Sequence, residues 1–194
     1  KATKQVLWRL TRKGLISAPL RGFHVIIPPE YEAYGCLPAD QFIPDLMNYL
    51  KIPYYVGLLS AAQFHGAAHQ RPQVFQVVVQ KNRKRIECGR VRVEFIARKN
   101  LQEIATETRN TPRGIVRVST PEGTALDLIA YPDHAGGLSN VATVLKELGE
   151  KIKPELLLKV AKQAGAMPHI QRLGYLLEAA KLKVLAKPLA EYVM

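Results

Sequence analysis

The stretch YYVGLLSAAQFHGAAHQRPQVFQVVV, residues 54–79, restricts the fold more than any other part of the sequence. Between Pro53 and Gly66 it leaves no broad polar face, which is typical of a buried helix, and glycine is the residue type that most often ends a helix. Its second half alternates Phe75, Val77 and Val79 with glutamines, as a half-exposed strand requires. We therefore expect a buried helix beside a β-sheet.

Further strands and helices follow this stretch. Residues 91–96, VRVEFI, repeat the alternation, and because IECGR (86–90) leads into them, we expect an antiparallel pair with the first strand. Residues 115–118 predict a short strand, and Ser119 or Thr120 before Pro121 predicts the start of a helix. The remaining sequence has helical patterns only. The expected fold is α+β, with a small, largely antiparallel sheet and a C-terminal group of helices.

The N-terminal part has the order helix, glycine, hairpin. Val6, Leu7 and Leu10 predict a helix that ends at Gly14, and residues 15–28 predict a hairpin with Arg21 near its tip. This order is that of the back half of a winged helix-turn-helix, whose first helices we expect upstream. A surface helix and hairpin without DNA contact is the alternative. A linker, GCLPAD, suggests two parts: residues 1–34, the end of the winged domain, and residues 35–194, an α+β domain.

Positive charge is concentrated in two segments of this chain, whose formal net charge is +12. Residues 1–29 contain six basic residues and no acid, and residues 71–113 contain eleven basic residues and four acids. Such segments favour nucleic acid or an acidic protein as partner. The residues predicted to bind DNA, with Gln5 as the base reader, are Lys1, Lys4, Gln5, Arg9, Arg12, Lys13 and Arg21. A second basic patch, for a protein partner or for DNA, comprises Arg83, Lys84, Arg85, Arg90 and Arg92.

Catalytic and metal-binding patterns are weak. His65 and His69 have the spacing of two metal ligands on a helix, but Gly66 interrupts that helix and no acid lies nearby, so we expect a packed His65 and no metal site. Cys36 and Cys88 are too few for a disulfide framework. A metal-dependent nuclease using Glu94, or a nuclease-like DNA-binding protein, is the alternative function, although residues 66–86 offer no second carboxylate. We expect no enzymatic activity, catalytic residue or cofactor.

Three stretches resemble the AbiEi antitoxins of type IV toxin-antitoxin systems. They are LTRKGLISAPLRGFHVI (10–26), residues 54–79, and VSTPEGTALDLIAYPDHAGGLSNVATVL (118–145), of which the second is the most specific. The resemblance implies an abortive-infection antitoxin, active in phage defence, that represses its own operon by binding operator DNA with inverted repeats. It also implies that the C-terminal domain counters a nucleotidyltransferase-like toxin, with direct contact left open.

The expected location is the cytoplasm. The longest apolar run, residues 54–62, is far shorter than the roughly 18 residues that a membrane-spanning helix needs. We therefore expect no membrane partner.

Overall fold

The computed structural model describes residues 2–67, 73–164 and 166–193. Within these residues the α+β class is confirmed, with all strands before residue 120 and only helices after it. The helices are α1 (Ala2–Arg12), α2 (Ala39–Leu50), α3 (Leu58–Phe64), α4 (Pro121–Ala130), α5 (Leu138–Leu148), α6 (Pro154–Ala164), α7 (Met167–Ala179) and α8 (Lys183–Val193). The strands are β1 (Ile16–Leu20), β2 (Phe23–Ile26), β3 (Tyr54–Val56), β4 (Phe75–Val79), β5 (Ile86–Cys88), β6 (Val91–Ala97), β7 (Thr106–Thr111) and β8 (Gly114–Ser119). None of the described helices is both long and apolar enough to cross a membrane.

The strands form a β1–β2 hairpin and a mixed sheet in the order β5-β6-β4-β3-β8-β7. Neighbours β5–β6, β3–β4 and β7–β8 are antiparallel, whereas β4–β6 and β3–β8 are parallel. The antiparallel pairing predicted for β4 and β6 is therefore wrong. The reason is that β5 turns back through Gly89 and Arg90 to become the antiparallel partner of β6, so β6 lies parallel to β4.

Helices cover both faces of the mixed sheet. On one face α2 packs Phe42, Ile43 and Leu46 against inward residues of β4, β5 and β6. On the other face α4 to α8 form the larger core, which receives Tyr55 and Val78 from the sheet. Because β4 lies between these two layers, it is buried on both faces and is not the half-exposed strand that its alternation predicts.

The predictions for the helix within residues 54–79 have different outcomes at its two ends. The helix begins later than expected, because Tyr54–Val56 is strand β3, as suits aromatic and β-branched residues, and α3 starts only at Leu58. Its end is as predicted, since Gly66 adopts a left-handed φ of 73°. The predicted cap of α4 is also confirmed: Gly123 N–H donates to the Thr120 hydroxyl at 3.3 Å.

The segment predicted as a linker is built into the core. Cys36 and Leu37 are buried, and Val25 of β2 belongs to the same cluster of apolar side chains as α2 and the sheet. The preceding 3-10 helix, Pro29–Tyr34, ends against the β5–β6 turn, where Arg90 N–H donates to the Tyr34 carbonyl at 2.7 Å. The hairpin thus packs directly on the α+β body, while a division into parts 1–34 and 35–194 stays a prediction.

Candidate functional site

The residues predicted to bind DNA lie on α1, just after it, and at the hairpin turn. All of those in the described part of the chain are exposed: Lys4, Gln5, Arg9, Arg12, Lys13 and Arg21. Lys1 lies outside the described residues. Since Leu15 N–H donates to the Leu10 carbonyl at 3.1 Å, the end of α1 is tied directly to the strand that leads to the hairpin. The basic helix and the hairpin therefore form one continuous unit.

Helix α1 keeps an exposed apolar surface beside its basic residues. None of its described residues is buried, and the Trp8 side chain is 59% exposed. The Arg12 guanidinium lies 4.8 Å from the Trp8 ring centroid, within cation–π range. Only Leu7 and Leu10 are half-buried. Nearly the whole circumference of α1 is thus open to a partner.

The second basic patch gathers at one edge of the mixed sheet. Strand β5 is the terminal strand, Lys84 and Arg85 precede it, Arg90 lies in its turn to β6, and Arg92 lies on β6. Arg85 is paired with Glu87 at 2.9 Å, an exposed contact of little energetic weight. Arg83 is half-buried in the loop before β5, and the other four members are exposed. The structure therefore brings these residues together along the β5–β6 hairpin and its leading loop.

Glu94 is the carboxylate on which the alternative nuclease function depends, and the polar residues next to it are not acidic. Across the β4–β6 pair it is opposite Gln76, and its carboxylate lies 3.2 Å from His134 Nδ1. Gln76 is buried; its Oε1 accepts from Leu59 N–H at 3.0 Å and its Nε2 donates to the His134 carbonyl at 2.7 Å. In the described residues no group of three or more His, Cys, Asp or Glu is placed to hold a metal ion.

His65 is held by polar contacts at both ring nitrogens. Its Nε2 lies 2.8 Å from the Ser119 carbonyl, which can only accept, so Nε2 carries the proton and donates. The other nitrogen, Nδ1, then accepts from Arg109 Nη2 at 3.3 Å, and Glu107 lies 3.7 Å away. His69 lies outside the described residues. These contacts occupy both nitrogens of His65 in holding β7 and β8 to the end of α3.

Replacing His65 with glutamine should remove part of the acid sensitivity of folding. Burial lowers the pKa of His65 below its ordinary 6.5. Just below pH 6.5 the unfolded chain therefore binds a proton at His65 that the folded chain does not bind. The contribution of neutral His65 to the free energy of unfolding is complete above pH 6.5 and falls as the pH decreases below it. Urea unfolding at pH 5.5 and 7.5 measures this. The exposed His24, changed to glutamine, is the control, and an equal change in both variants would contradict the assignment.

A buried ion pair that sequence analysis missed links the sheet to α4. Asp127 is fully buried, and its Oδ1 accepts from Arg98 Nη1 at 3.1 Å and from the Tyr55 hydroxyl at 3.2 Å. Burial raises the pKa of Asp127 to about 7, although Arg98 opposes the shift. An aspartate inside the otherwise apolar run TALDLIA was the signal that could have found it, because a lone carboxylate on a buried face needs a partner.

Comparisons with known proteins assign a family and a fold. The sequence profile described as the AbiEi antitoxin C-terminal domain matches residues 55–179. The crystal structure of the RV2827C protein from Mycobacterium tuberculosis superposes with a TM-score of 0.61 at 19% identity, covering 95% of this chain and 69% of that chain. An antigenic nucleotidyltransferase-like protein from Paracoccidioides brasiliensis gives a TM-score of 0.49 at 11% identity, covering 78% and 90% of the two chains. No curated protein sequence matches significantly.

Proposed function

Because the chain belongs to the AbiEi antitoxin family, we propose that it is the antitoxin and transcriptional autorepressor of a type IV toxin-antitoxin system. In this proposal α1 and the β1–β2 hairpin bind operator DNA with inverted repeats, and the α+β body counters a nucleotidyltransferase-like toxin. It works in the cytoplasm in defence against phage and has no enzymatic activity of its own.

The exposed basic helix is the observation that supports DNA binding. A helix reads DNA from the major groove, whose width admits one helix, while basic side chains at its end and on a hairpin grip phosphates. Lys4, Gln5 and Arg9 lie on α1, with Arg12 and Lys13 at its end, and all are exposed. Arg21 lies in the β1–β2 turn, where Gly22 has a left-handed φ of 85°. Residues 2–29 contain no carboxylate side chain to repel the phosphates.

Changing Arg9, Lys13 and Arg21 together to glutamate should abolish operator binding. Binding through about four phosphates gives a log-log salt slope near −3.6, and loss of three contacts should flatten it by about 2.7. Operator affinity is measured by fluorescence anisotropy across a salt series, on a chain that includes any upstream helices. Lys151, Lys159 and Lys183 changed to glutamate make the matched control, since they are exposed and alter net charge equally. Equal loss in both variants, or none in the first, would refute the DNA interface.

The second basic patch is our candidate surface for toxin suppression. It lies on the β5–β6 hairpin and its leading loop, at the edge of the mixed sheet. Arg90 and Arg92 are exposed and make no ion pair with any described residue, so their charge is available to an acidic partner. The alternative partner of this patch is DNA that flanks the operator segment bound by α1.

A toxicity-rescue assay separates the two surfaces. Cells expressing the nucleotidyltransferase-like toxin of the same operon should grow when the unaltered chain is supplied from an independent promoter. We expect the variant with Arg83, Lys84, Arg85, Arg90 and Arg92 changed to serine to lose rescue, and the Arg9, Lys13 and Arg21 variant to retain it. If the serine variant rescues growth fully but binds operator DNA more weakly than the unaltered chain, then the second basic patch binds DNA and the assignment to toxin suppression is wrong.

A further inference from the structure

A groove opens where the 3-10 helix Pro29–Tyr34 meets the mixed sheet. Its volume is about 510 Å³, within the range of about 300–1,000 Å³ that is usual for small-molecule sites. The start of α2, the end of α3 and the first residues of β4 and β6 form its walls. The lining side chains that bear on its chemistry are Tyr31, Tyr34, Gln41, Gln63, Arg90 and Arg92.

One wall of the groove is aromatic. The Tyr34 ring is 46% exposed and meets the Tyr31 ring edge to face, with centroids 6.4 Å apart and an interplanar angle of 64°. Tyr31 is fixed in turn, because its hydroxyl accepts from Gln41 Nε2 at 2.9 Å. An exposed tyrosine that packs against a second, hydrogen-bonded tyrosine is suited to stacking with a planar, π-bonded ring.

Another part of the groove lining carries positive charge. Arg90 and Arg92 are both exposed and form no ion pair with a described residue, unlike Arg85, which Glu87 neutralises. Among the described lining residues the charged side chains are those of Arg90, Arg92 and Asp40. Guanidinium groups bind phosphate oxygens with paired N–H donors.

Backbone contacts join the aromatic and the basic parts of the lining directly. Arg90 N–H donates to the Tyr34 carbonyl at 2.7 Å. Gly89 and Gly35 touch so closely that a Cβ on Gly89 would lie 2.7 Å from the Gly35 carbonyl carbon. The backbone that carries Tyr34 and Arg90 is therefore arranged before any ligand arrives, which reduces the entropy lost on binding.

We propose that this groove binds a nucleotide unit, with the base stacked on Tyr34 and its phosphate held by Arg90 and Arg92. The ligand is either a free nucleotide or one nucleotide of a single strand, since both present a free base face together with phosphate. Duplex DNA does not, because its base faces are already stacked, so this site is separate from the operator interface on α1.

Fluorescence anisotropy with labelled ATP and with a labelled single-stranded DNA of ten nucleotides tests the proposal on the full chain. Tyr34→Ala should weaken binding about 5- to 150-fold, the range found for loss of one stacking partner. Arg90→Ala with Arg92→Ala should weaken binding and reduce its salt dependence. Tyr175→Ala and Arg172→Ala are the matched controls, since both residues are exposed outside the groove and outside the second basic patch. Circular dichroism confirms that each variant is folded.

The two labelled probes also distinguish the sources of the ligand. Affinity that rises with strand length, with ATP as a poor competitor, identifies a single strand, whereas saturable binding of ATP alone identifies a free nucleotide; either result supports the site. Absence of binding by the unaltered chain at about 1 mM, a free energy of only about −4 kcal/mol, would overturn it. So would equal weakening by Tyr34→Ala and Tyr175→Ala. Operator binding and toxin rescue are measured separately, so this failure would leave the antitoxin proposal standing.

Discussion

Replacing Arg98 with methionine should destabilise the folded chain by about 3–5 kcal/mol at pH 8, the usual cost of removing one partner of a buried ion pair. Arg98 is 12% exposed and Asp127 is fully buried, so the remaining carboxylate has no water to replace its lost partner. The Tyr55 hydroxyl still donates to Asp127, but one neutral donor does not balance a buried charge.

The loss should be much smaller at pH 5. The pKa of Asp127 is about 7 in the folded chain, raised by burial from 3.8, and removal of Arg98 can only raise it further. Between pH 4 and 7 the folded state thus holds a proton that the unfolded state has lost, and stability falls as pH rises through this window. Without Arg98 the stability of the folded chain continues to fall at higher pH, by about 1.4 kcal/mol for each unit by which the pKa of Asp127 increases.

Urea unfolding followed by circular dichroism at pH 5 and 8 measures both effects. Arg85→Met is the control, because Arg85 pairs with Glu87 on the surface, and we expect a change within about 1 kcal/mol at either pH. The double variant Arg98→Met, Asp127→Leu should recover most of the stability, since well-packed apolar residues often replace a buried pair at little cost. If Arg98→Met destabilised the chain equally at pH 5 and pH 8, then Asp127 would not gain its charge between these pH values, and the ion pair with Arg98 would be contradicted.

Those elements of the fold that depend on local pattern could be predicted from the sequence. The end of α1 at Gly14, the hairpin of β1 and β2, and the start of α4 at Pro121 follow from glycine, turn residues and capping alone. Pairing partners could not be predicted in this way. Whether β6 pairs with β4 in parallel or antiparallel depends on where β5 lies, and three residues of β5 carry too little signal.

Strand β7 escaped prediction for a different reason. Its sequence TETRNT has no apolar alternation, because it is an edge strand with neither face fully buried, and pairing with β8 determines its conformation. The exposed basic residues of the candidate interfaces could be named from charge alone. The groove could not, since Tyr34 and Arg90 are distant in sequence and meet through a backbone hydrogen bond that depends on the close contact of Gly35 with Gly89.

Replacing Gly89 with alanine should destabilise the chain by about 3 kcal/mol and weaken ligand binding in the groove. Gly89 has a left-handed φ of 56°, which costs a residue with a Cβ about 1 kcal/mol. In addition, that Cβ would overlap the Tyr34 carbonyl oxygen and lie 2.9 Å from Gly35 Cα. Both are backbone atoms that cannot rotate away, so the 3-10 helix must move from the β5–β6 turn, and overpacking of this kind costs about 1–3 kcal/mol.

Gly14→Ala separates the two causes, because Gly14 has a similar φ of 70° but nothing within 4 Å of the added Cβ. We expect it to cost about 1 kcal/mol at most, which is the conformational term alone. Urea unfolding gives the stability of both variants, and anisotropy with the two labelled nucleotide probes reports on the groove. If Gly89→Ala destabilised the chain no more than Gly14→Ala, then the 3-10 helix could move away from the β5–β6 turn at no cost in free energy. The claim that backbone contacts fix Tyr34 next to Arg90 would then be wrong.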